Sequence, residues 1–297
     1  MQGLTFSDTN QQDYGLVTIR SGPFEASFSV MAGGRLLQLM HRAYGDVLVP
    51  MDEHPYDEHD WPKAGAFPLF PYHGRLKNAA VVTEQQSFQL RGNPYRGGDA
   101  MHGPAQRRPW RIDSHSSCTL SISLEYEADE EWPYDFKAHQ HFSISDRCLD
   151  VGLSLVNTSD RPSPGGIGWH PYFAIASGVP LSCDAQQCWT LPPAGSGDSP
   201  AATPLESTSF GVDPQSKQLS NWSRASFLTS MGLVSLFRKS ALEYLVLHRT
   251  ATYACLEPVS HLSGAFSLPR DLRPTAGIRE LAPGETMLGS ISILVGP

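Results

Sequence analysis

Between Cys118 and Ala128 every second residue is apolar: Cys118, Leu120, Ile122, Leu124, Tyr126 and Ala128 alternate with Thr119, Ser121, Ser123, Glu125 and Glu127. Side chains on an extended chain point to opposite faces in turn, so a period of two over eleven residues predicts an antiparallel strand with one buried and one wet face. The same alternation recurs at Phe24, Ala26, Phe28 and Val30, at Phe136, Ala138, Gln140, Phe142 and Ile144, and at Leu149, Val151, Leu153 and Leu155. It continues at Leu233 to Phe237, Tyr244 to His248, Tyr253 to Leu256 and Met287 to Val295, the last preceded by Pro283-Gly284. A long amphipathic stretch with the 3.6-residue period of a helix is missing from the pattern. The chain carries 26 Gly and 24 Pro among 297 residues, spread along its length, which suits many short elements joined by tight turns.

Together these features predict an all-β fold with antiparallel sheets, and residues 1–297 are read as a single domain. The proline- and glycine-rich stretch from Pro192 to Pro204 is expected to be a long loop inside that domain, of the kind that often borders a site. No internal repeat of 20 to 50 residues is visible.

Charge narrows the partners. A formal net charge of −8, from 22 Lys plus Arg against 30 Asp plus Glu, speaks against nucleic acid or an anionic membrane, and favours a small-molecule partner. The five cysteines (118, 148, 183, 188 and 255) form no CxxC pair and no regular framework, so they read as free thiols, with Cys183–Cys188 the one pairing worth weighing. Neither a basic leader followed by an apolar stretch nor a run of 18 apolar residues occurs, and the expected location is cytoplasmic.

Four short constellations carry candidate chemistry. Gly168-Trp169-His170-Pro171-Tyr172-Phe173 sets a histidine among aromatic rings, the mixture of apolar faces and polar edges that a sugar cleft needs. Structurally it also reads as a buried histidine in an aromatic cluster. Cys255-Leu256-Glu257-Pro258 ends a predicted strand in a carboxylate, with Pro258 stopping the ladder and fixing Glu257 in an extended conformation, either as a placed general base or as a surface glutamate at a turn. Phe67 to Arg75 is an apolar, proline-rich approach ending in a guanidinium that can fork onto hydroxyls or pair with an acid. Met101-His102-Gly103 places a second histidine at a turn ahead of Arg107, Arg108 and Trp110.

Other histidines raise a metal reading. Asp52-Glu-His54 and Asp57-Glu-His59 form a near-duplicate acidic run whose spacing does not converge, so a solvated loop is favoured. His139 and His141 share one face of a predicted strand, but spacing identifies no third ligand.

Taken in order, the motifs resemble the aldose 1-epimerase (galactose mutarotase) family from about Phe24 to Leu294. The matching pieces are Pro71-Tyr72-His73-Gly74-Arg75, His102-Gly103 leading to Trp110, Trp132-Pro133-Tyr134-Asp135-Phe136, Trp169-His170-Pro171-Tyr172-Phe173, Glu257-Pro258 and the closing Pro283-Gly284-Glu285. The resemblance implies one large antiparallel β-sandwich, a free sugar as substrate, and neither metal nor cofactor. It also implies roles: Glu257 as general base, His170 as general acid, His102 beside the ring oxygen or anomeric region, and Arg75 as a hydroxyl-binding cation. An ionised Glu beside a protonated His is the expected pair near neutral pH.

Departures from the family pattern matter too. Gly74 stands where relatives commonly carry Asn, and Ser216 to Trp222 stands where many carry an acidic pair, leaving the usual sugar-gripping aspartate without a counterpart; Asp213 is merely the nearest acid. Arg107, with Arg75, motivates a rival substrate, an anionic hexose bearing a 6-phospho or 6-sulfo group. A rival of another class is a non-catalytic sugar-binding protein on the same fold. The sequence sets no oligomeric state.

Overall fold

A computed structural model describes residues 14–52, 56–83, 86–193, 196–229 and 232–296. Its elements are antiparallel strands and short 3₁₀ turns, gathered chiefly into two large sheets. The larger sheet has eleven strands. Its main order is Leu16–Ser21, Phe24–Ser29, Arg35–His41, Ala66–Leu69, Gly168–Ala174, Tyr253–Val259, Tyr244–Arg249, Gln215–Ser220, Gln187–Thr190 and Ala201–Pro204, with Gly45–Asp46 pairing Arg35–His41. The other has nine: Arg111–His115, Thr119–Tyr126, Phe136–Ile144, Cys148–Asn157, Thr286–Gly296, Leu233–Ser240, Arg224–Leu228, Leu181–Cys183 and Ser209–Phe210.

Alternation decides which face each strand turns inward. Along Phe136–Ile144 the residues Phe136, Ala138, Gln140, Phe142 and Ile144 are buried, while Lys137, His139, His141 and Ser143 face outward. Phe142 meets Phe28 of the larger sheet with ring centroids 4.6 Å apart, and Gln140 Nε2 donates to Gly34 O across the same interface at 2.9 Å. Both rings are fully buried, so truncating either to Ala costs about 3–5 kcal/mol.

The larger sheet is buried on its second face as well over its middle strands. Trp169, Phe173, Ala254 and Leu256 point into the core between the sheets, whereas Phe67, Leu69, Tyr172, Cys255 and Val259 join Trp61 in a separate cluster on the opposite face. Coverage on both sides removes the polar alternation, which is why Ala66–Leu69 and Gly168–Ala174 carry near-continuous burial and no period-two signal.

Two expectations are corrected. Pro258 does not end its strand: Tyr253–Val259 continues through it, with Leu245 opposite Pro258 and Tyr244 opposite Val259. Toward Gly168–Ala174 the ladder does lapse, between the pairs Gly168–Val259 and Tyr172–Cys255. Pro171 and Pro258 fall within that gap, and neither supplies an N–H. The stretch from Pro192 to Pro204 is likewise not all loop, since Ala201–Pro204 pairs with Gln187–Thr190 as the edge of the larger sheet, and none of its described residues lines the cleft described below. Ala194 and Gly195 of that stretch lie outside the described residues, as does His54 of the acidic run. All five cysteines are free, Cys183 and Cys188 included. No helix among the described residues is long and apolar enough to cross a membrane.

Candidate active site

The register of the larger sheet assembles the site. The pairs Gly168–Val259 and Tyr172–Cys255 flank His170 and Glu257, which therefore lie opposite each other on neighbouring strands. Phe67 is the partner of His170 on its other side, Val246 of Glu257, and His248 of Cys255. Ser216 follows opposite His248. Cross-strand partners share a face, so one face of five adjacent strands carries a patch of chemistry-bearing side chains. It floors a cleft of about 350 Å³ whose walls include Trp61, Lys63, Gly74, Arg75, Arg96 and His102.

At its centre His170 Nε2 lies 3.3 Å from Glu257 Oε1, both side chains only 7% exposed. The imidazole is packed against Phe67 and Tyr172, with centroids 4.6 and 4.7 Å away and rings within about 25° of parallel. Trp61 Nε1 donates to Tyr172 Oη at 2.9 Å, which ties the cleft wall to the floor. Burial pushes the Glu257 carboxyl up to about 8. The His170 imidazole is held well below its ordinary range, first by burial and then by His102 and the Arg35 cation. Both shifts run against the expected ionised Glu beside a protonated His, because burial by itself favours the neutral carboxyl and the neutral imidazole.

His102 stands across the cleft with its ring edge-on to His170, centroids 5.3 Å apart. Its backbone is left-handed, at φ 59°, and is fixed by a reciprocal pair: His102 N–H donates to Gly74 O at 2.9 Å, and Gly74 N–H donates to His102 Nδ1 at 3.1 Å. A ring nitrogen that accepts from an amide carries no proton, so the proton of the neutral ring sits on Nε2. Burial, then the cations of Arg107, Lys63, Arg96 and Arg75, push the imidazole down to about 3, keeping it a neutral hydrogen-bond group.

Arg75 reaches the cleft but is half exposed and bonded to Asp99, Nη1 to Oδ2 at 2.9 Å. Arg107 does not line the cleft. It turns to Glu131, Nη2 to Oε1 at 3.0 Å, with both side chains 7% exposed, so the arginine that motivated an anionic sugar is committed elsewhere. Arg96 and Lys63 contribute the other cleft cations, each near Asp60. Asp213 lies on an exposed turn and is not among the lining residues; Ser216 and His248 occupy that flank instead. Gly74 has a clear reason to lack a side chain: with φ +71°, a Cβ there would lie 2.2 Å from Ser263 Oγ, and Ser263 itself lines the cleft. His139 and His141 face outward, held by Asp113 at 3.6 Å and by Ser121 Oγ at 2.7 Å.

Sequence reasoning missed Arg35. It is 1% exposed, with Nε and Nη1 unpartnered, and its guanidinium lies 4.6 Å from the Phe67 centroid, on a ring that itself stacks on His170. Among the described residues it has no carboxylate partner, only a hydrogen bond with Tyr56, and a buried cation so placed is the exception among charged side chains. It follows Gly33-Gly34 on an otherwise apolar strand start, the single clue available in the sequence. Trp61 and Lys63 gave no local signal at all.

Solved structures with this fold are numerous. A galactose mutarotase-like protein from Clostridium acetobutylicum superposes with a TM-score of 0.78 at 17% identity, covering 95% of each chain. A putative aldose 1-epimerase from Escherichia coli K12 gives 0.76 at 22%, covering 95% of this chain and 98% of that one. A galactose 1-epimerase from Lactobacillus acidophilus gives 0.71 at 14%, covering 95% and 94%. The fold is that of the galactose mutarotase-like β-sandwiches. The family model for aldose 1-epimerase matches residues 15–193, more than half of the chain, and the chain belongs to the aldose 1-epimerase family. That match takes in Arg75, His102 and His170 and stops short of Glu257. Among curated proteins, the uncharacterized protein YphB of Escherichia coli K12 is 29% identical over 126 residues, a stretch spanning 42% of each chain.

Proposed function

We propose that the protein is a mutarotase that interconverts the α and β anomers of a free hexose or close derivative, working as one unit without a cofactor. The observation that carries this is the His170–Glu257 pair, 3.3 Å apart and nearly dry, on the floor of a cleft of sugar-ring size. Ring opening removes the proton from the C1 hydroxyl and delivers one to the ring oxygen; closure on the other face of the aldehyde, after rotation about C1–C2, runs the same transfers backward. One group must arrive with a proton and its partner without. A pair whose carboxyl is raised and whose imidazole is lowered holds a single proton between them across neutral pH. In the reacting arrangement that proton sits on His170 Nε2 and Glu257 is ionised. A sugar donating its C1 hydroxyl to the carboxylate while accepting at its ring oxygen stabilises this arrangement over the resting one.

Tyr172 and Phe67 hold the imidazole plane, His102 Nε2–H is a neutral donor toward the ring, and Arg75 grips hydroxyls at the rim. Asp99 on Arg75 and Asp60 between Arg96 and Lys63 offset part of the positive charge of the cleft wall, which favours a neutral sugar over a 6-phospho or 6-sulfo hexose. Five free thiols suit a reducing, cytoplasmic setting. Exchange NMR on the anomers of neutral and 6-phospho hexoses tests the reading. Faster exchange than buffer for neutral sugars supports it, while sugar binding without any acceleration identifies a non-catalytic binding protein.

A further inference from the structure

Cys255 lies two residues before Glu257 on the same strand, so its side chain shares the cleft face, and Tyr172 is its cross-strand partner. Its sulfur, a ring nitrogen of His170 and a carboxylate oxygen of Glu257 all lie within 4.8 Å of one another, each residue buried. This is the one such group of three ligand-type side chains among the described residues. The catalytic proposal gives the thiol no task; in the fold it packs within the Trp61 cluster.

We propose that His170, Cys255 and Glu257 form a binding site for a thiophilic divalent cation of the zinc class, and that its occupation switches the active site off. Metal–ligand lengths of about 2.0 Å for nitrogen or oxygen and about 2.3 Å for sulfur give tetrahedral edges of roughly 3.3 to 3.6 Å. The observed His170–Glu257 separation of 3.3 Å is already such an edge. The sulfur has at most about 1.3 Å to close, within reach of a small side-chain rotation. Three protein ligands with the fourth corner facing the cleft leave room for water or a sugar oxygen.

Charge is consistent with burial. On binding, the thiol and the carboxyl release their protons to solvent, and a 2+ ion with one thiolate, one carboxylate and a neutral imidazole is neutral overall. Such a centre avoids adding net charge close to Lys63 and Arg35, whose charges act on Cys255 and His170. Nitrogen, sulfur and a single oxygen suit zinc or cobalt and do not suit magnesium or calcium, which need oxygen shells. The inhibitory consequence rests on the mutarotase reading, because the ion takes the Nε2 lone pair and the carboxylate that ring opening requires. The site itself does not.

The test is titration of the chelator-stripped full chain with cobalt(II), under a reductant that is not a thiol, watching the near-ultraviolet thiolate-to-cobalt charge-transfer band. The expected result is a band saturating at one equivalent, displaced by zinc, unaffected by magnesium, retained in Cys148→Ala and lost in both Cys255→Ala and Cys255→Ser. Outer-shell changes alone cost about 10- to 100-fold in metal affinity, and losing the thiolate is expected to cost zinc at least as much. Circular dichroism verifies that each variant folds. No band in the wild type, or a band persisting in both Cys255 variants, overturns the site. Zinc that fills the site without slowing anomer exchange overturns the switch. A cobalt band in a protein that accelerates no exchange leaves the metal site standing and removes the mutarotase reading.

Discussion

His170 and Glu257 face each other across two adjacent strands, 3.3 Å apart, and burial moves their proton affinities in opposite directions. Both side chains line one cleft, and the proposed mechanism uses them as a pair that holds one proton between them.

Removing either end is expected to stop catalysis without unfolding the chain. Glu257→Gln preserves volume, whereas His170→Asn keeps a polar group but gives up the ring stacked on Phe67 and Tyr172; each is expected to lower the anomer-exchange rate by about 10²- to 10⁴-fold. Circular dichroism melts report the fold. Exchange near the wild-type rate in either variant removes that residue from the mechanism.

The pH dependence follows from the opposite shifts of the two groups. The one-proton form exists above the lowered value of His170 and below that of Glu257, about 8, so kcat/KM is expected to be flat near neutrality and to fall above pH 8. Relative to an ionised Glu next to a protonated His, the bell is kept and its two limbs change owners. Infrared spectroscopy offers a check that needs no substrate: a protonated carboxyl band at neutral pH, absent in Glu257→Gln. The folded chain holds this proton more tightly than the unfolded one, whose reference is 4.5, so the associated stability is full below pH 4.5 and lost as pH rises through 8. Glu257→Gln is therefore expected to gain in Tm relative to wild type between pH 5 and pH 9.

Arg35→Met tests the buried cation. Without the guanidinium, His170 binds its proton more readily, so the acid limb of the pH profile is expected to move to higher pH. Stability is expected to change by less than about 1.5 kcal/mol in either direction, since a volume-conserving apolar residue relieves the unpaired Nε and Nη1. An unmoved acid limb with unchanged Tm assigns Arg35 to packing alone.

Gly74 and Ser263 are expected to be coupled. Gly74→Asn sets a Cβ 2.2 Å from the Ser263 hydroxyl oxygen, and is expected to destabilise by about 1–3 kcal/mol; Ser263→Gly in the same chain is expected to recover most of it. Equal losses in single and double variants, measured by urea denaturation, argue against the contact. Asn tolerates the left-handed backbone better than most residues, so the clash and not the φ decides the sign.

The fold was legible wherever one strand face is wet. Thr119–Tyr126, Phe136–Ile144 and Cys148–Asn157 fall within a residue or two of the alternation that predicts them. Gly168–Ala174 and Ala66–Leu69 were not, because burial on both faces leaves no polar register to read. The site was legible as four motifs, and the structure brings His170, Glu257, His102 and Arg75 to one cleft. What escaped depends on distance along the chain. Glu131, 24 residues from Arg107, claims that arginine, and Trp61 reaches Tyr172 across 111 residues. Neither relationship leaves a trace in local spacing.

The floor of the cleft has a consequence for engineering. Because Glu257 and Val246 run as one row across adjacent strands and Cys255, His248 and Ser216 as another, the positions form a lattice with steps of about 4.8 Å between strands and about 6.8 Å along them. On the proposed reading, a sugar ring at the His170 end lies beside the Val246, His248 and Ser216 positions of the floor. Substrate preference is therefore expected to be addressable one lattice point at a time, by a carboxylate or amide introduced at 216, 246 or 248, while the core behind the sheet is left as it is.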